Sequence, residues 1–185
     1  SIYLRLGFLE AEVEEVSLAC LARARRLHEK GGLLAFAAGN AITDAQHVSV
    51  EFVPPVIVGK RALPALALGT DMAATVGLAT IAGWEQVYAR QLTAVGQPED
   101  IALGIDPAGN DKAVRMGLVT ARQKGMLTIG LSGGDGGQLA SEALDFCFVV
   151  PATETTLIQE THETLYHILW ELVHIFFEHK GLLTQ

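Results

Sequence analysis

Five short apolar runs separated by stretches of helical spacing constrain this chain more tightly than anything else in it. The runs are Leu33 to Ala38, Ala65 to Leu68, Ile101 to Ile105, Met126 to Leu131 and Phe146 to Val150. Between them, Thr43 to Phe52, Asp71 to Val95 (broken at Gly83) and Asp111 to Lys124 have helical character, and Glu154 to His179 closes the chain. A strand that is apolar throughout, rather than at alternate positions, is one buried on both faces. Such strands alternating with helices predict an α/β fold, a five-stranded parallel sheet flanked by helices. In these sheets ligands bind beyond the carboxyl ends of the strands, near the reversal in strand order. Attention therefore falls on the loops Gly39-Asn40, Gly69-Thr70, Asp106 to Asn110 and Ser132 to Gly137.

The first thirty residues read as one long helix, ended by Gly31-Gly32. With 185 residues and neither repeats nor a long linker, one domain spanning 1–185 is expected. Mean hydropathy is high at +0.32, yet no uncharged apolar run reaches the ~18 residues of a membrane span. The surplus suits a doubly covered sheet and apolar helices at a subunit interface. A net charge of −8 argues against direct nucleic-acid binding, which needs clustered cations. Cys20 and Cys147 both lie in apolar runs and read as small core residues. A cytoplasmic location is the default expectation.

Four segments could carry chemistry. His47 and Glu51 stand four apart on a helix, so an imidazole and a carboxylate can share one metal ion or one substrate; an ordinary surface pair is the plainer reading. In the last helix, Gln159, His162 and His167 are polar, and Gln159 and His167 lie about 12 Å apart along its axis. His162, His174 and His179 are expected to be exposed or interfacial. The loop Asp106-Pro107-Ala108-Gly109-Asn110-Asp111 joins a strand to a helix, a place suited to anions, but it carries two carboxylates, and Asp111 serves equally as an N-cap. Leu131 to Gly137 is glycine-rich and reads as a tight turn.

In this order the segments resemble the phosphoheptose isomerase branch of the sugar isomerase (SIS) family. The resemblance rests on Gly39-Asn40 with Asp44-Ala45-Gln46-His47 and Glu51, Arg61 to Leu68, Tyr88 to Leu92, Leu131 to Gly137, and Ile158-Gln159-Glu160 through His162 to His167-Ile168-Leu169. It covers nearly the whole chain and implies the family's flavodoxin-like three-layer sandwich. It also implies conversion of sedoheptulose 7-phosphate to heptose 7-phosphate through an enediol. By resemblance, Glu51 is the base and His167 its acid/base partner. His47, Glu51, Gln159 and His167 would hold zinc, and Asn40, Gly109, Asn110 and Gln159 would bind substrate. A homotetramer with sites between subunits is implied as well.

The departures fall where the family grips phosphate. Gly39-Asn40-Ala41-Ile42-Thr43 stands for a Gly-Asn-Gly-Gly-Ser loop, and Asp106 to Asp111 for Ser-Thr-Ser-Gly-Asn-Ser. Pro55, Thr80-Ile81, Thr156 and Leu157 replace further polar residues of the pattern. Three lost hydroxyl bonds to a charged group amount to roughly 4–9 kcal/mol. The expectation is therefore a carbohydrate-derivative-binding protein of the family that has diverged or lost catalysis, with a sugar or sugar phosphate as ligand and a regulatory protein as a further candidate partner. The alternative is an active isomerase.

Overall fold

The computed structural model describes residues 2–55, 57–179, 181 and 183. Helices α1 (Ile2–Ala11) and α2 (Val13–His28) lead into β1 (Leu33–Ala37), α3 (Ile42–Phe52), β2 (Ala65–Ala67), α4 (Met72–Ala82) and α5 (Val87–Val95). They are followed by β3 (Ile101–Asp106), α6 (Lys112–Gln123), β4 (Leu127–Gly133), β5 (Phe146–Val150) and α7 (Thr155–Glu178). All five strands pair in parallel, in the order β2-β1-β3-β4-β5. The expected α/β sandwich is thus present, with strand bounds within two residues of those read from the apolar runs.

Alternation along the strands builds a core on each face of the sheet. Leu33, Ala35 and Ala37 of β1 and Ile101, Leu103 and Ile105 of β3 pack with α2, α3 and α7. Leu34, Phe36 and Ala102 point the other way, among residues of α5 and α6. Gly104 lets α6 close on the sheet, since a Cβ there would stand 2.7 Å from Leu118 Cδ1. Asp71 and Asp111 cap α4 and α6, their carboxylates accepting from Ala74 N and Val114 N at 3.0 Å each.

The amino-terminal region is two helices rather than one, with Glu12 between them at φ −98° and ψ 5°. Only Phe8 of α1 is buried, whereas α2 buries Val16, Ala19, Cys20, Ala24 and Leu27. A helix held along its whole length and one held at a single residue need not share an axis. Cys20 is buried and Cys147 partly so, both as free thiols.

Because β2 and β3 flank β1 on opposite sides, the strand order reverses between β1 and β3. Beyond their carboxyl ends, the chain leaves a cleft of about 440 Å³, where the topology predicts one.

Candidate functional site

The cleft is lined by Asn40 and neighbours after β1, Asp106 to Ala108 after β3, Gly133 to Asp135 after β4, and Thr153, Thr155, Ile158 and Gln159 around the start of α7. Among the described residues that line it there is no Lys or Arg. Tyr88 of α5 donates to Ala37 O at 2.6 Å and so fixes the end of β1 that opens into it.

Helices α3 and α7 run side by side in the same sense. Gln159 Nε2 donates to Asp44 Oδ2 at 3.0 Å near the start of the pair, and Trp170 Nε1 donates to Glu51 O at 2.8 Å further along. Between these contacts His47 Nε2 stands 3.2 Å and His167 Nε2 3.7 Å from one atom, Glu51 Oε1. Glu51 is 8% exposed and each histidine is half-buried. One donor atom from each of the three lies within 4.8 Å of the others. Two imidazole nitrogens and a carboxylate oxygen are a donor set suited to zinc. The spacing is also close enough for protons to pass between carboxylate, imidazole and a bound carbonyl compound.

Of the residues marked in the sequence, His47, Glu51 and His167 therefore meet. Gln159, eight residues before His167 and about two turns away, lies on Asp44 and lines the cleft, its Oε1 left for a ligand. Asn40 lines the cleft too. Gly109 and Asn110 are not among the described lining residues. Gly109 has φ +70°, and a Cβ there would meet Gly136 O at 2.2 Å. Asn110 is engaged by its own backbone and the β4 loop, donating to Ala108 O at 2.9 Å and accepting from Gln138 N at 3.3 Å.

Two histidines expected at the surface are interior. His162 is fully buried, with Nε2 2.9 Å from Ser132 O, where it donates to the end of β4. Burial pushes its pKa down to about 4, against the pull of that carbonyl. His174 is also buried, its ring nitrogens 2.9 Å from Trp170 O and 3.1 Å from Arg61 O. Both rings hold α7 to neighbouring backbone. His179 is exposed, as expected.

Sequence reasoning gave no site role to Asp44, Glu163, Tyr166 or Trp170. Tyr166, 1% exposed, has its hydroxyl 3.0 Å from His47 Nδ1. Glu163 Oε1 is 3.7 Å from the same Nδ1. Burial raises the Asp44 pKa, opposed by the bond from Gln159. Burial also raises that of Tyr166, helped by the carboxylates of Asp44, Glu163 and Glu51.

The β3–α6 loop is built differently. Asp106, 2% exposed, turns its carboxylate back into its own loop and accepts from Ala108 N at 3.1 Å and Asp111 N at 2.6 Å. Gly109 N donates to Asp106 O at 3.0 Å, and Pro107 has no N–H to offer.

The SIS domain family model matches residues 4–133. A phosphoheptose isomerase from Thermodesulfovibrio yellowstonii is 35% identical over 179 residues, 96% of this chain and 89% of that protein. One from Aquifex aeolicus is 37% identical over 173 residues, covering 94% and 90%. Among solved structures, the phosphoheptose isomerase of Francisella tularensis superposes with a TM-score of 0.88 at 27% identity, over 94% of this chain and 92% of that one. The Neisseria gonorrhoeae enzyme gives 0.85 at 29% identity, over 93% and 91%. The chain belongs to the SIS domain family, within its phosphoheptose isomerase branch.

Proposed function

We propose that this protein is an aldose–ketose isomerase working through an enediol, with the heptose phosphate of its relatives' name as the first substrate to try. The observation that carries this reading is the approach of two imidazole nitrogens to a single carboxylate oxygen, Glu51 Oε1, at 3.2 and 3.7 Å. In the ketose-to-aldose direction, Glu51 removes a proton from C1, next to the carbonyl. His167 gives a proton to the carbonyl oxygen on C2. The resulting enediol collapses when a proton returns to C2 and the C1 hydroxyl loses its own, which leaves the aldehyde. His47, Glu51 and His167, with Gln159 as a fourth ligand, would hold zinc, whose chemistry here is polarisation of the carbonyl. Asn40 and Gln159 line the cleft along which the remainder of the sugar would lie.

The test is turnover of sedoheptulose 7-phosphate by the zinc-loaded protein, followed by proton exchange at C1 in heavy water. Exchange that disappears in Glu51→Gln supports the reading. Stoichiometric zinc with neither exchange nor turnover of any sugar tried would replace it with a binding role.

One observation favours a second reading, in which the ligand carries no phosphate or the protein binds without catalysis. The β3–α6 loop spends its donors on Asp106, so a phosphate there would face a carboxylate in place of N–H groups. Tight calorimetric binding of unphosphorylated sedoheptulose, with weak binding of its 7-phosphate, would favour that reading.

Assembly into a tetramer is supported by exposed apolar side chains, Ile2, Tyr3 and Leu6 on α1 and Met72, Val76 and Ile81 on α4; light scattering reads it directly. No described helix is long and apolar enough to cross a membrane.

A further inference from the structure

We propose that Trp170 is a positioning residue. Its indole N–H grips the backbone of Glu51, fixes the register of α7 against α3, and so sets the Glu51 carboxylate against His167. The inference rests on the reading of His47, Glu51 and His167 given above. It concerns the group that holds that cluster in register rather than its ligands.

The need for such a group arises in the sequence. Glu51 is the last residue but one of α3, so its carbonyl is among the final four that find no N–H within the helix. The residue four places on, which would supply one if the helix continued, is Pro55, and it has none. Trp170 Nε1 donates to that carbonyl at 2.8 Å instead, and an indole nitrogen can only donate. The bond is shut away from water, with Trp170 4% exposed and Glu51 8%.

Trp170 stands three residues after His167, and residues at that spacing share a face of a helix. One face of α7 thus reaches Glu51 twice, with an indole on its backbone and an imidazole 3.7 Å from its carboxylate. At the other end of the helix pair, Gln159 and Asp44 meet through two side chains, which can swing together; the Trp170 bond holds the α3 backbone itself. The indole is braced in turn. Its ring lies 4.3 Å from that of His174, whose nitrogens stand 2.9 Å from Trp170 O and 3.1 Å from Arg61 O. Leu63 N donates to Phe52 O at 2.8 Å, which ties the residue next to Glu51 to the approach to β2.

Trp170→Phe tests this, since it keeps a buried aromatic ring and removes the N–H. Leu118→Ala is the control, a core truncation on the opposite face of the sheet. Each variant is read by zinc affinity in chelator competition, by kcat and KM for the sugar with zinc saturating, and by a metal-free crystal structure. Trp170→Phe should bind zinc roughly 10-fold more weakly, the low end of the loss when a group supporting a metal ligand is removed. Its kcat should fall with KM little changed, and its Glu51 carboxylate should lie farther from His167 than the 3.7 Å of the wild type. Leu118→Ala should lower the thermal midpoint and leave all of these readings as they are. A Trp170→Phe protein that loses stability alone, as the control does, would overturn the inference, and so would one whose Glu51 keeps its place against His167. Should the smaller ring leave the chain unfolded, 3-benzothienylalanine at position 170 keeps the two-ring shape with sulfur in place of N–H and is read in the same way. A wild type that binds no zinc and turns over no sugar would remove the proposed reactive cluster, and the paired crystal structures would still decide whether Trp170 sets Glu51 against His167.

Discussion

The two ends of this site are wired in opposite ways. At the α3–α7 end, His47 and His167 direct nitrogens at one carboxylate oxygen, and the three donor atoms lie close enough together to share a metal ion or pass a proton. At the β3–α6 end, Asp106 already fills the turn where an anion would lie, taking the N–H groups of Ala108 and Asp111. A cluster of converging donors leaves room for a ligand, whereas a loop whose N–H groups are already taken has less to offer one. Both ends sit on the same fold, linked by Gln159, which lines the cleft and bonds Asp44 on α3. Family membership therefore gives the frame without deciding which end still works.

The largest effect should follow from disabling the open end. Glu51→Gln keeps the shape of the side chain and its backbone contact with Trp170 but removes the base. Loss of a positioned general base typically lowers turnover by about 10²–10⁴-fold, and kcat for sugar isomerisation is the quantity to read. The same substitution should weaken zinc, measurable without any turnover. A variant that isomerised at the wild-type rate would move the chemistry away from this cluster altogether.

A second effect concerns a buried histidine away from the His47–Glu51–His167 cluster. His162 titrates near 6.5 in an unfolded chain and at about 4 when buried. The unfolded state thus binds more protons between those values. The stability tied to the neutral ring is complete above about pH 6.5 and is lost as pH falls toward 4, by up to about 3 kcal/mol at ~1.36 kcal/mol per unit. Thermal midpoints of the wild type should fall across this window more steeply than those of His162→Gln. Equal slopes would mean that the ring is more accessible than its place against Ser132 indicates.

Much of this was legible from residue order, for reasons that differ by region. The five strands announce themselves because burial on two faces demands uninterrupted apolar runs, and Asp71 and Asp111 mark helix starts because a cap acts within three residues. His47 and Glu51 could be paired because four residues make one helical turn. Nothing local joins either to His167, a link that only the resemblance supplied, or to Tyr166, 119 positions from His47. An aromatic residue in an amphipathic helix reads as core, and Tyr166 is core by burial while its hydroxyl serves the site. The burial of His162 and His174 was illegible for a related reason. Each is made tolerable by a backbone carbonyl distant in sequence, Ser132 O or Arg61 O, and a carbonyl leaves no trace in residue identity.

The smallest expected effect bears most directly on the contrast between the two ends. Asp106→Ser removes one carboxylate from the cleft wall, frees the N–H groups of Ala108 and Asp111, and supplies a hydroxyl. A recovered hydrogen bond to a charged group is worth roughly 1.5–3 kcal/mol, partly offset by a loop that has lost its internal anchor. Affinity for sedoheptulose 7-phosphate, read by calorimetry, should rise by about tenfold, and affinity for unphosphorylated sedoheptulose should not. The loop, having lost its own carboxylate, should also make the variant less stable, with added phosphate restoring part of the loss. Unchanged phosphate affinity would show that Pro107 and the tight packing of Gly109 against Gly136 close this end by shape. The carboxylate would then be filling a turn that no ligand could enter, and the difference between the two ends would be one of access rather than charge.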